Sequence, residues 1–295
     1  MLTAISSPPP DTGPSENLSF KASDGYPLAA TLFRPSGPVR SAVLVNSATA
    51  VPRKIYRGFA SYLAERGCAV LTYDYRGTGN SRPESLVGFK ASMADWAALD
   101  VTAAVAWMRS QFPMPLRYVG HSFGGQALGL LPNNTEVSRG LLVAAQAGYW
   151  GLMTPPEGYR VYALMNFIGK PLTQFMGYAS GNKMGIGEDL PKDVYLQWAR
   201  WVMSRRYYYD DPSLAALANY PNYRGAVRAL SFSDDPWATP PAVEVLCSGF
   251  TSTKPEILTI TPASVGATKI GHLGFFRREH RNSLWKDAAD WLLPD

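Results

Sequence analysis

Short apolar segments alternate along this chain with longer segments in which apolar positions recur at helical spacing. Few polar residues interrupt the runs SAVLV, CAVLTYDY, LRYVG and GLLVAAQ, which is typical of strands covered on both faces. Amphipathic helices are predicted between these strands at residues 53–67 and at ADWAALDVTAAVAWMRSQF, where apolar side chains fall on one face. The alternation predicts a mostly parallel central sheet with helices on both of its faces.

The two ends of the chain contribute further strands and helices. Residues 17–37 indicate two strands around a turn at 23–25, because Asp-Gly between alternating segments favours a hairpin. Towards the C-terminus we predict a strand at AVRALSFS, a short helix at PAVEVLCSG, a strand at EILTITP and a terminal helix at RNSLWKDAADWLL. The alternation of strands and helices therefore resumes after an interruption.

The interruption covers residues 147–225, a segment rich in aromatic residues. Glycine and proline separate its apolar stretches, and no clear strand is visible in it. We interpret it as a partly helical insertion over one end of the sheet, with most of its aromatic side chains in its own core. The predicted organisation is a flexible leader at 1–16, a core formed by 17–146 and 226–295, and the insertion at 147–225.

Composition and charge narrow the class of protein. Hydrophobic residues make up 46% of the chain and charged residues 17%, which is enough apolar material for a large core. The net charge of +5 comes from scattered lysines and arginines, without a dense basic run. No nucleic-acid partner is therefore expected.

The N-terminal sequence and the number of cysteines indicate the cellular compartment of the protein. The N-terminal residues lack a basic segment followed by an apolar one, and no run of about 18 apolar residues occurs, so neither a secretory signal nor a membrane span is expected. The two cysteines, Cys68 and Cys247, are too few for a disulfide framework, which fits a reducing compartment. We predict a cytoplasmic protein without a membrane partner.

The strongest chemical signal is the hexapeptide GHSFGG at residues 120–125, which follows a predicted strand and begins a predicted helix. It matches the pattern G-x-S-x-G, in which a sharp turn exposes a serine hydroxyl and the glycines avoid steric clashes. A chance match on a loop would lack the flanking strand and helix. We therefore predict that Ser122 is a nucleophile, with the N–H groups of the following helix directed at the site.

A serine hydroxyl needs a base to accept its proton, and the chain has three histidines. His121 adjoins Ser122, so its side chain should point away from the serine hydroxyl. His280 lies in the polar run RREHRN, which favours a solvated position. His272 follows the last predicted strand and its loop, and we predict that it is the general base and later the general acid.

An acid must orient the imidazole and stabilise its protonated form. Asp234 and Asp235 both follow the strand AVRALSFS, and either satisfies the chain order serine, aspartate, histidine. We favour Asp235, because the run Asp-x-x-x-Thr-Pro that it begins is typical of the loop after this strand. Asp234 stays the alternative, with a second role as a hydrogen-bonded neighbour or helix cap.

Acyl transfer also requires N–H donors for the negative oxygen of the tetrahedral intermediate. One expected donor is the backbone N–H of Phe123, the residue after the nucleophile. The other should come from the loop after SAVLV, where residues 46–50 are NSATA. We select Ala48 for this oxyanion hole, with Thr49 as the second candidate.

These motifs together resemble the α/β-hydrolase superfamily from about residue 17 to the end of the chain. The segment DYRGTGNS at residues 74–81 is similar to the family pattern D-x-R-G-x-G-x-S, which usually has a structural role. The stretches SATAVPRKIYRGFA, FSDDPWATP and IGHLGFFR look closer to a bacterial subgroup of predicted α/β hydrolases with generally unassigned substrates. One departure is Asn46-Ser47, where many members carry His-Gly. The insertion lies where the superfamily has its cap, and we call it the cap from here on.

The resemblance implies an α/β-hydrolase fold with an aromatic-rich cap. The predicted triad then indicates hydrolysis of a carboxylic ester, or of a lactone or thioester, through an acyl-Ser122 intermediate. Two alternatives stay open: an acyltransferase that uses the same triad, and a small-molecule binder on this scaffold, since a fold does not determine a function. The intact serine, aspartate and histidine argue against the binder.

The expected partner is a small ester-like molecule. An aromatic cap favours an apolar acyl or ring-containing substrate, whereas Arg200, Arg205 and Arg206 fit a solvated helix face better than an acid-binding site. No metal is expected, because the histidines are few and lack zinc spacing, and no phosphate or dinucleotide motif indicates a cofactor. The hydrophobic cap can also support a contact between two copies, so a homodimer is a further expectation.

Overall fold

The computed structural model describes residues 14–293, and its main feature is an eight-stranded sheet. The strands of the chain are β1 Ser15–Lys21, β2 Pro27–Phe33, β3 Ser41–Asn46, β4 Cys68–Tyr73, β5 Leu116–His121, β6 Val137–Val143, β7 Tyr178–Ala179, β8 Leu190–Pro191, β9 Ala226–Phe232 and β10 Glu256–Ile260. All except β7 and β8 belong to the main sheet. Most of the leader predicted at 1–16 lies outside the described residues, and β1 already begins at Ser15.

The strand order of the main sheet is β1-β2-β4-β3-β5-β6-β9-β10. The predicted hairpin is present: β1 pairs antiparallel with β2, and β2 pairs antiparallel with β4. All other neighbours are parallel, as the alternation of strands and helices predicted. The carboxyl ends of the parallel strands therefore meet at one end of the sheet, where open α/β folds place their sites.

Helices connect the strands and pack against the sheet. They are α1 Arg57–Glu65, α2 Met93–Asp95, α3 Thr102–Gln111, α4 Phe123–Ala127, α5 Glu157–Ala163, α6 Lys170–Met176, α7 Gly181–Met184, α8 Lys192–Val202, α9 Pro240–Cys247, α10 Gly271–Gly274 and α11 Leu284–Leu292. The π-helical turns Trp96–Val101 and Leu164–Gly169 join α2 to α3 and α5 to α6. Within residues 14–293, no helix has both the length and the apolar character needed to cross a bilayer.

Short 3-10 helices complete the connections. They occupy Arg53–Tyr56, Gly79–Ser81, Leu128–Leu130, Asn134–Glu136, Trp150–Leu152, Tyr207–Asp210, Ala215–Asn222, Pro262–Val265 and Arg278–His280. The predicted helix at residues 53–67 thus begins as a 3-10 turn and continues as α1, which ends before Gly67 at φ +88°. Glycine adopts this left-handed conformation without steric cost, so it ends the helix.

Burial follows the position of each strand in the sheet. Every residue of β3 and β4 is buried, because these central strands are covered on both faces. The edge strand β10 has no fully buried residue. Continuous apolar sequence therefore marks the centre of the sheet, and a mixed sequence marks its edge.

The cap holds α5 to α8 and a small hairpin formed by β7 and β8. Tyr178 pairs with Pro191 and Ala179 with Leu190. The expectation of no strand in this segment was therefore wrong, because two-residue strands are too short to produce an alternating pattern. The cap aromatics divide into two groups: a buried set that includes Trp201, Tyr207 and Tyr208, and an exposed set on α5 and α6.

The DYRGTGNS segment ties β4 to the loop after β3. The carboxylate of Asp74 accepts the N–H of Arg53 at 2.7 Å and that of Asn80 at 3.0 Å, and it pairs with the Arg53 guanidinium. Gly79 has φ +48°, and a Cβ there would lie 2.3 Å from the Asp74 carboxyl carbon. The segment thus has a structural role, since it holds the chain that leads from β3 into α1.

We predict that Gly79→Ala lowers the free energy of unfolding by about 2–4 kcal/mol, because it adds a clash to an unfavourable φ. The matched control is Gly37→Ala, whose added Cβ meets no atom within 4 Å. The control should change stability by less than about 0.5 kcal/mol. Urea unfolding of both variants measures this difference, and equal stabilities would contradict the structural role of Gly79.

Candidate active site

Ser122 lies in a sharp turn between β5 and α4. Its backbone angles are φ 50° and ψ −115°, a conformation that residues other than glycine rarely adopt. The Ser122 N–H donates to the Val143 carbonyl at 3.0 Å, and the Ser122 carbonyl accepts the Gly125 N–H at 2.9 Å. These bonds hold the strained serine at the carboxyl end of β5, which is the geometry of a nucleophile elbow.

The glycines around Ser122 are required by close backbone contacts. A Cβ at Gly120 would lie 2.5 Å from the Gly124 backbone, and one at Gly124 would lie 2.3 Å from the Asn46 carbonyl oxygen. At Gly125 it would lie 2.5 Å from the Ala145 side chain. The helix after the elbow can therefore approach β3, β5 and β6 only because these positions have no side chain.

Asp235 lies in the loop after β9 and His272 in α10, which follows β10, and their side chains are in contact. The His272 Nδ1 and the Asp235 Oδ2 are 2.7 Å apart, while the other carboxylate oxygen accepts the Trp237 N–H at 2.9 Å. Burial would raise the pKa of Asp235, but the neighbouring imidazole and these hydrogen bonds outweigh it and lower the pKa. Asp235 is therefore a carboxylate that can accept a hydrogen bond from the Nδ1–H of His272.

Asp234 faces a different part of the same loop. Its carboxylate accepts the N–H of Ile270 at 2.8 Å and that of Gly271 at 3.0 Å. Of the two neighbouring aspartates, only Asp235 contacts the imidazole of His272 in this structure, and Asp234 holds the backbone that precedes it. The tertiary structure thus assigns different contacts to two residues that the sequence left as alternatives.

His121 connects the elbow to the histidine loop. Its side chain is fully buried, and its Nε2 lies 2.8 Å from the backbone carbonyl oxygen of His272. A carbonyl only accepts hydrogen bonds, so Nε2 carries the proton and Nδ1 is an acceptor. The Tyr56 hydroxyl, 2.8 Å from Nδ1, is therefore the donor. Burial and the nearby His272 lower the pKa of His121 to about 3, which keeps its ring neutral.

The same hydroxyl reaches the loop after β3. The Tyr56 oxygen accepts the Ala48 N–H at 2.8 Å, so the predicted oxyanion donor already has a partner. In the described part of the chain, the N–H groups of Thr49 and Phe123 have no hydrogen-bond acceptor. One chain of hydrogen bonds thus links the β3 loop, Tyr56, His121 and the backbone of His272.

A family model now agrees with this geometry. The model described as the alpha/beta hydrolase family matches residues 42–279, which include the elbow and both members of the Asp235–His272 pair. The chain belongs to the alpha/beta hydrolase family. The narrower resemblance to a bacterial subgroup stays a prediction.

Solved structures with the same fold come from distant organisms. A soluble variant of monoglyceride lipase from Saccharomyces cerevisiae is 16% identical, with 98% of each chain covered and a TM-score of 0.65. An esterase from Pyrococcus furiosus is 14% identical over 95% of this chain and 91% of its own, with a TM-score of 0.62. A search of curated protein sequences finds no significant match. At these identities the likeness shows the α/β-hydrolase fold.

Asn46 and Ser47, which stand where many α/β hydrolases carry His-Gly, are buried in the core. The Asn46 amide donates to the Val119 carbonyl at 3.2 Å and accepts the Tyr73 hydroxyl at 2.8 Å. Ala50, at the end of this loop, has φ 60°. Asn46 therefore ties the loop to the central strands, and the loop keeps a left-handed residue without using glycine there.

The cap contributes to the surroundings of His272. The ring centroid of Trp237 lies 6.2 Å from that of His272 and 6.0 Å from that of Trp198 on α8. The Trp237 indole N–H donates to Glu157 at the start of α5 at 2.7 Å, and the Thr154 N–H donates to the Pro236 carbonyl at 2.9 Å. An apolar surface next to the histidine is thus formed by the Asp235 loop and the cap together.

Two other sequence-based expectations are settled by the tertiary structure. His280 is buried instead of solvated, because the 3-10 turn Arg278–His280 directs it inward. Arg200, expected on a solvated helix face, is mostly exposed and pairs with Asp211 at 2.7 Å. Sequence reasoning also missed Tyr56, which no local motif marks because its partner His121 lies 65 residues further along the chain.

A cavity of about 370 Å³ lies outside this site, between β1, β2 and the start of α1. Its lining mixes charges of both signs, including Arg53, Asp74 and Glu188, and includes none of Ser122, Asp235 and His272. Among residues 14–293, no three histidine, cysteine or carboxylate side chains are grouped closely enough to hold a metal ion.

The low pKa of His121 predicts a pH-dependent loss of stability. The unfolded chain protonates this histidine near pH 6.5, whereas the folded protein does so only near pH 3. Between these values the unfolded state binds one more proton, so stability falls as the pH falls, by at most about 1.4 kcal/mol per pH unit.

We expect His121→Gln, which keeps a donor for the His272 carbonyl, to lack most of this pH dependence in urea unfolding between pH 6.5 and 5. His280→Gln is the matched control, since burial lowers the pKa of His280 as well. The control should retain the part of the slope that comes from His121. An unchanged slope in His121→Gln would mean that His121 is not the neutral buried group described above.

Proposed function

We propose that the protein is a serine-dependent carboxylic ester hydrolase. Ser122 is the nucleophile, His272 is the general base, and Asp235 is the carboxylate that orients His272. The observation that supports this most directly is the 2.7 Å contact between His272 Nδ1 and the buried Asp235 carboxylate, at the same end of the sheet as the elbow. A histidine held in this tautomer presents Nε2 as a proton acceptor, which a serine nucleophile requires. Family membership and the strained Ser122 backbone add to the case.

The reaction begins when His272 Nε2 takes the proton of Ser122 as Oγ attacks the ester carbonyl carbon. The tetrahedral intermediate then collapses, the bond to the alcohol oxygen breaks, and His272 returns its proton to that oxygen. The acyl group remains on Ser122. Water then gives a proton to His272 Nε2 as its oxygen attacks the acyl carbon. The bond from that carbon to Ser122 Oγ breaks, His272 returns the proton to Oγ, and the carboxylic acid is released.

For the oxyanion hole we propose the N–H groups of Phe123 and Thr49. Phe123 follows the nucleophile and begins α4, whose N-terminal N–H groups favour negative charge. Thr49 replaces Ala48 as the second donor, because the Ala48 N–H is bound to Tyr56 while the Thr49 N–H is unoccupied in the described residues. Tyr56 thereby holds the loop that would present Thr49.

Three residues are proposed to position the base without touching the substrate. Asp234 holds the N–H groups before His272, and His121 holds the carbonyl of His272 itself. Tyr56 keeps His121 in the tautomer that donates to this carbonyl.

An apolar acyl ester is the substrate class that the surroundings favour. Trp237 and Trp198 form an aromatic surface beside the base. An esterase and a monoglyceride lipase share the fold over more than nine-tenths of this chain. Both proteins are named for the hydrolysis of carboxylic esters, and a lactone or thioester would pass through the same acyl-Ser122 intermediate.

Two alternatives use the same residues differently. An acyltransferase would pass the acyl group from Ser122 to an alcohol or amine, and product analysis with competing acceptors separates it from a hydrolase. A small-molecule binder would bind an ester without acylation of Ser122. The paired Asp235 and His272 favour catalysis over simple binding, since a binder has no need of an oriented base.

A fluorophosphonate probe should label the wild-type protein on Ser122, because the probe reacts with an activated serine. Ser122→Ala should abolish labelling and lower kcat for an aryl ester by about 10⁴–10⁶-fold. The control Ser264→Ala removes an exposed serine and should leave both unchanged. Mass spectrometry of the labelled peptide gives the position, and an unlabelled, folded wild-type protein would favour the binder.

The two aspartates should differ sharply in their effect on catalysis. Asp235→Asn should lower kcat by about 10⁴-fold, since the amide stabilises the wrong tautomer of His272. Asp234→Asn loses one acceptor for the backbone before His272 and should lower kcat by about 10-fold to 10²-fold. Steady-state kinetics with one ester measures both, and the reverse order of effects would make Asp234 the acid.

A further inference from the structure

The outer face of α5 and α6 carries a group of exposed apolar side chains that we call the cap ridge. A continuous helical run, interrupted by the π turn Leu164–Gly169, carries all but one of its members. The cap ridge consists of Tyr159 (62% exposed), Tyr162 (37%), Phe167 (68%), Ile168 (56%), Phe175 (90%) and the neighbouring Val87 (62%). Val87 joins the far end, because its Cγ1 lies 3.3 Å from where a Cβ of Gly177 would be.

The opposite face of the same helical run is buried. Gly158, Val161, Met165, Gly169 and Thr173 form this inner stripe at spacings of three and four residues. Through the π turn, the buried residues continue to recur every four positions on one side of the helical run. The bulky residues between them therefore face outward. The exposure of the ridge is thus a consequence of the helix geometry and not of a loosely packed cap.

The area of the ridge matches what one half of a protein interface requires. Aromatic side chains present about 150–250 Å² each, so the ridge offers on the order of 700 Å² of apolar surface. A typical monomer has a largest apolar patch of about 300–600 Å². A standard interface buries about 800 Å² on each partner.

We propose that the cap ridge is the contact surface of a homodimer, in which the outer faces of α5 and α6 of two copies pack antiparallel. The two-fold axis would cross the ridge level with residue 169 along the helical run. Bulky Phe167 and Phe175 alternate along the ridge with small Ala163 and Pro171, at intervals of four residues. An antiparallel copy centred near Gly169 sets Phe167 of one copy on Pro171 of the other, and Phe175 on Ala163. At these four positions bulky side chains then meet small ones, as a self-complementary interface requires.

The charges beside the ridge favour a second copy over a lipid surface. Arg160 is paired with Glu157 through contacts of 2.8 and 2.6 Å, and Lys170 bonds to Asn166 at 2.8 Å. Helices that lie on anionic membranes carry many unpaired lysines and arginines on their polar face. The ridge helices have only these two basic residues, so electrostatic attraction to a membrane would be weak.

The first test is the oligomeric state at 1–100 µM, measured by sedimentation velocity. We expect a dimer for the wild-type protein and a monomer for the double variant Phe167→Glu and Phe175→Glu, since buried carboxylates oppose the contact. Leu258→Glu is the matched control, because Leu258 is an exposed apolar residue on the edge strand β10. Thermal unfolding establishes that each variant is folded.

The control also separates two kinds of dimer. If Leu258→Glu dissociates the protein and the ridge variant does not, the copies pair through β10 and the proposal is wrong. A wild-type monomer at 100 µM also overturns it. Binding of that monomer to phosphatidylglycerol vesicles, lost in the ridge variant, would show that the ridge takes lipid instead.

A second test addresses the antiparallel arrangement. Ala163→Cys and Phe175→Cys proteins, mixed and oxidised, should form a disulfide-linked dimer, whereas each alone should not cross-link through these positions. The native cysteines Cys68 and Cys247 are buried and will not compete. Cross-linking of either variant alone, or the absence of a disulfide between residues 163 and 175 in the mixture, would exclude the proposed arrangement. Neither test depends on enzyme activity, so the dimer and the proposed hydrolase stand or fall separately.

Discussion

The hydrogen bond between His121 and the backbone carbonyl of His272 is the contact on which the rest of the site depends. It joins two turns that are 151 residues apart in sequence, one after β5 and one after β10. Because the ring is buried and neutral, its tautomer is determined by its partners, and among residues 14–293 the proton that Nδ1 accepts comes from Tyr56. Loss of either partner would leave a buried polar atom unsatisfied, at a cost of about 1–3 kcal/mol.

Backbone strain is concentrated around the same point. Ser122, Ala50 and Ala144 all have positive φ without being glycine, and each lies just beyond the carboxyl end of a parallel strand. Such conformations cost about 1–3 kcal/mol each and persist only where surrounding structure enforces them. Here the enforcement comes from β3, β5 and β6, which are buried almost throughout, and from glycines that let α4 lie against them. The rigid sheet thus supports a strained serine that no isolated turn would hold.

The cap is fastened to both sides of the site and presents its other face outward. Glu157 binds Trp237 beside the Asp235 loop, and the Glu188 N–H donates to the Ala50 carbonyl at 2.9 Å in the loop after β3. These contacts place cap residues next to the groups proposed to bind the acyl chain and the oxyanion. The exposed aromatics of α5 and α6 lie on the outer face of their helical run, so one insertion would combine the proposed substrate face with the proposed dimer face.

Local patterns in the sequence were sufficient for the order of strands and helices in the main sheet, the elbow at Ser122 and the candidates His272, Asp234 and Asp235. Hydrophobic periodicity and the residue preferences of turns depend on only a few neighbouring residues, so they can be read without the tertiary structure. The tertiary structure alone decided which aspartate contacts the imidazole, because both carboxylates sit on one turn and differ only in direction. It also decided that the Ala48 N–H is occupied and that His280 is buried, since each depends on residues that distant strands bring together. The tertiary structure also decided which cap aromatics are exposed, because aromatic residues at helical spacing are buried or exposed according to what packs against them.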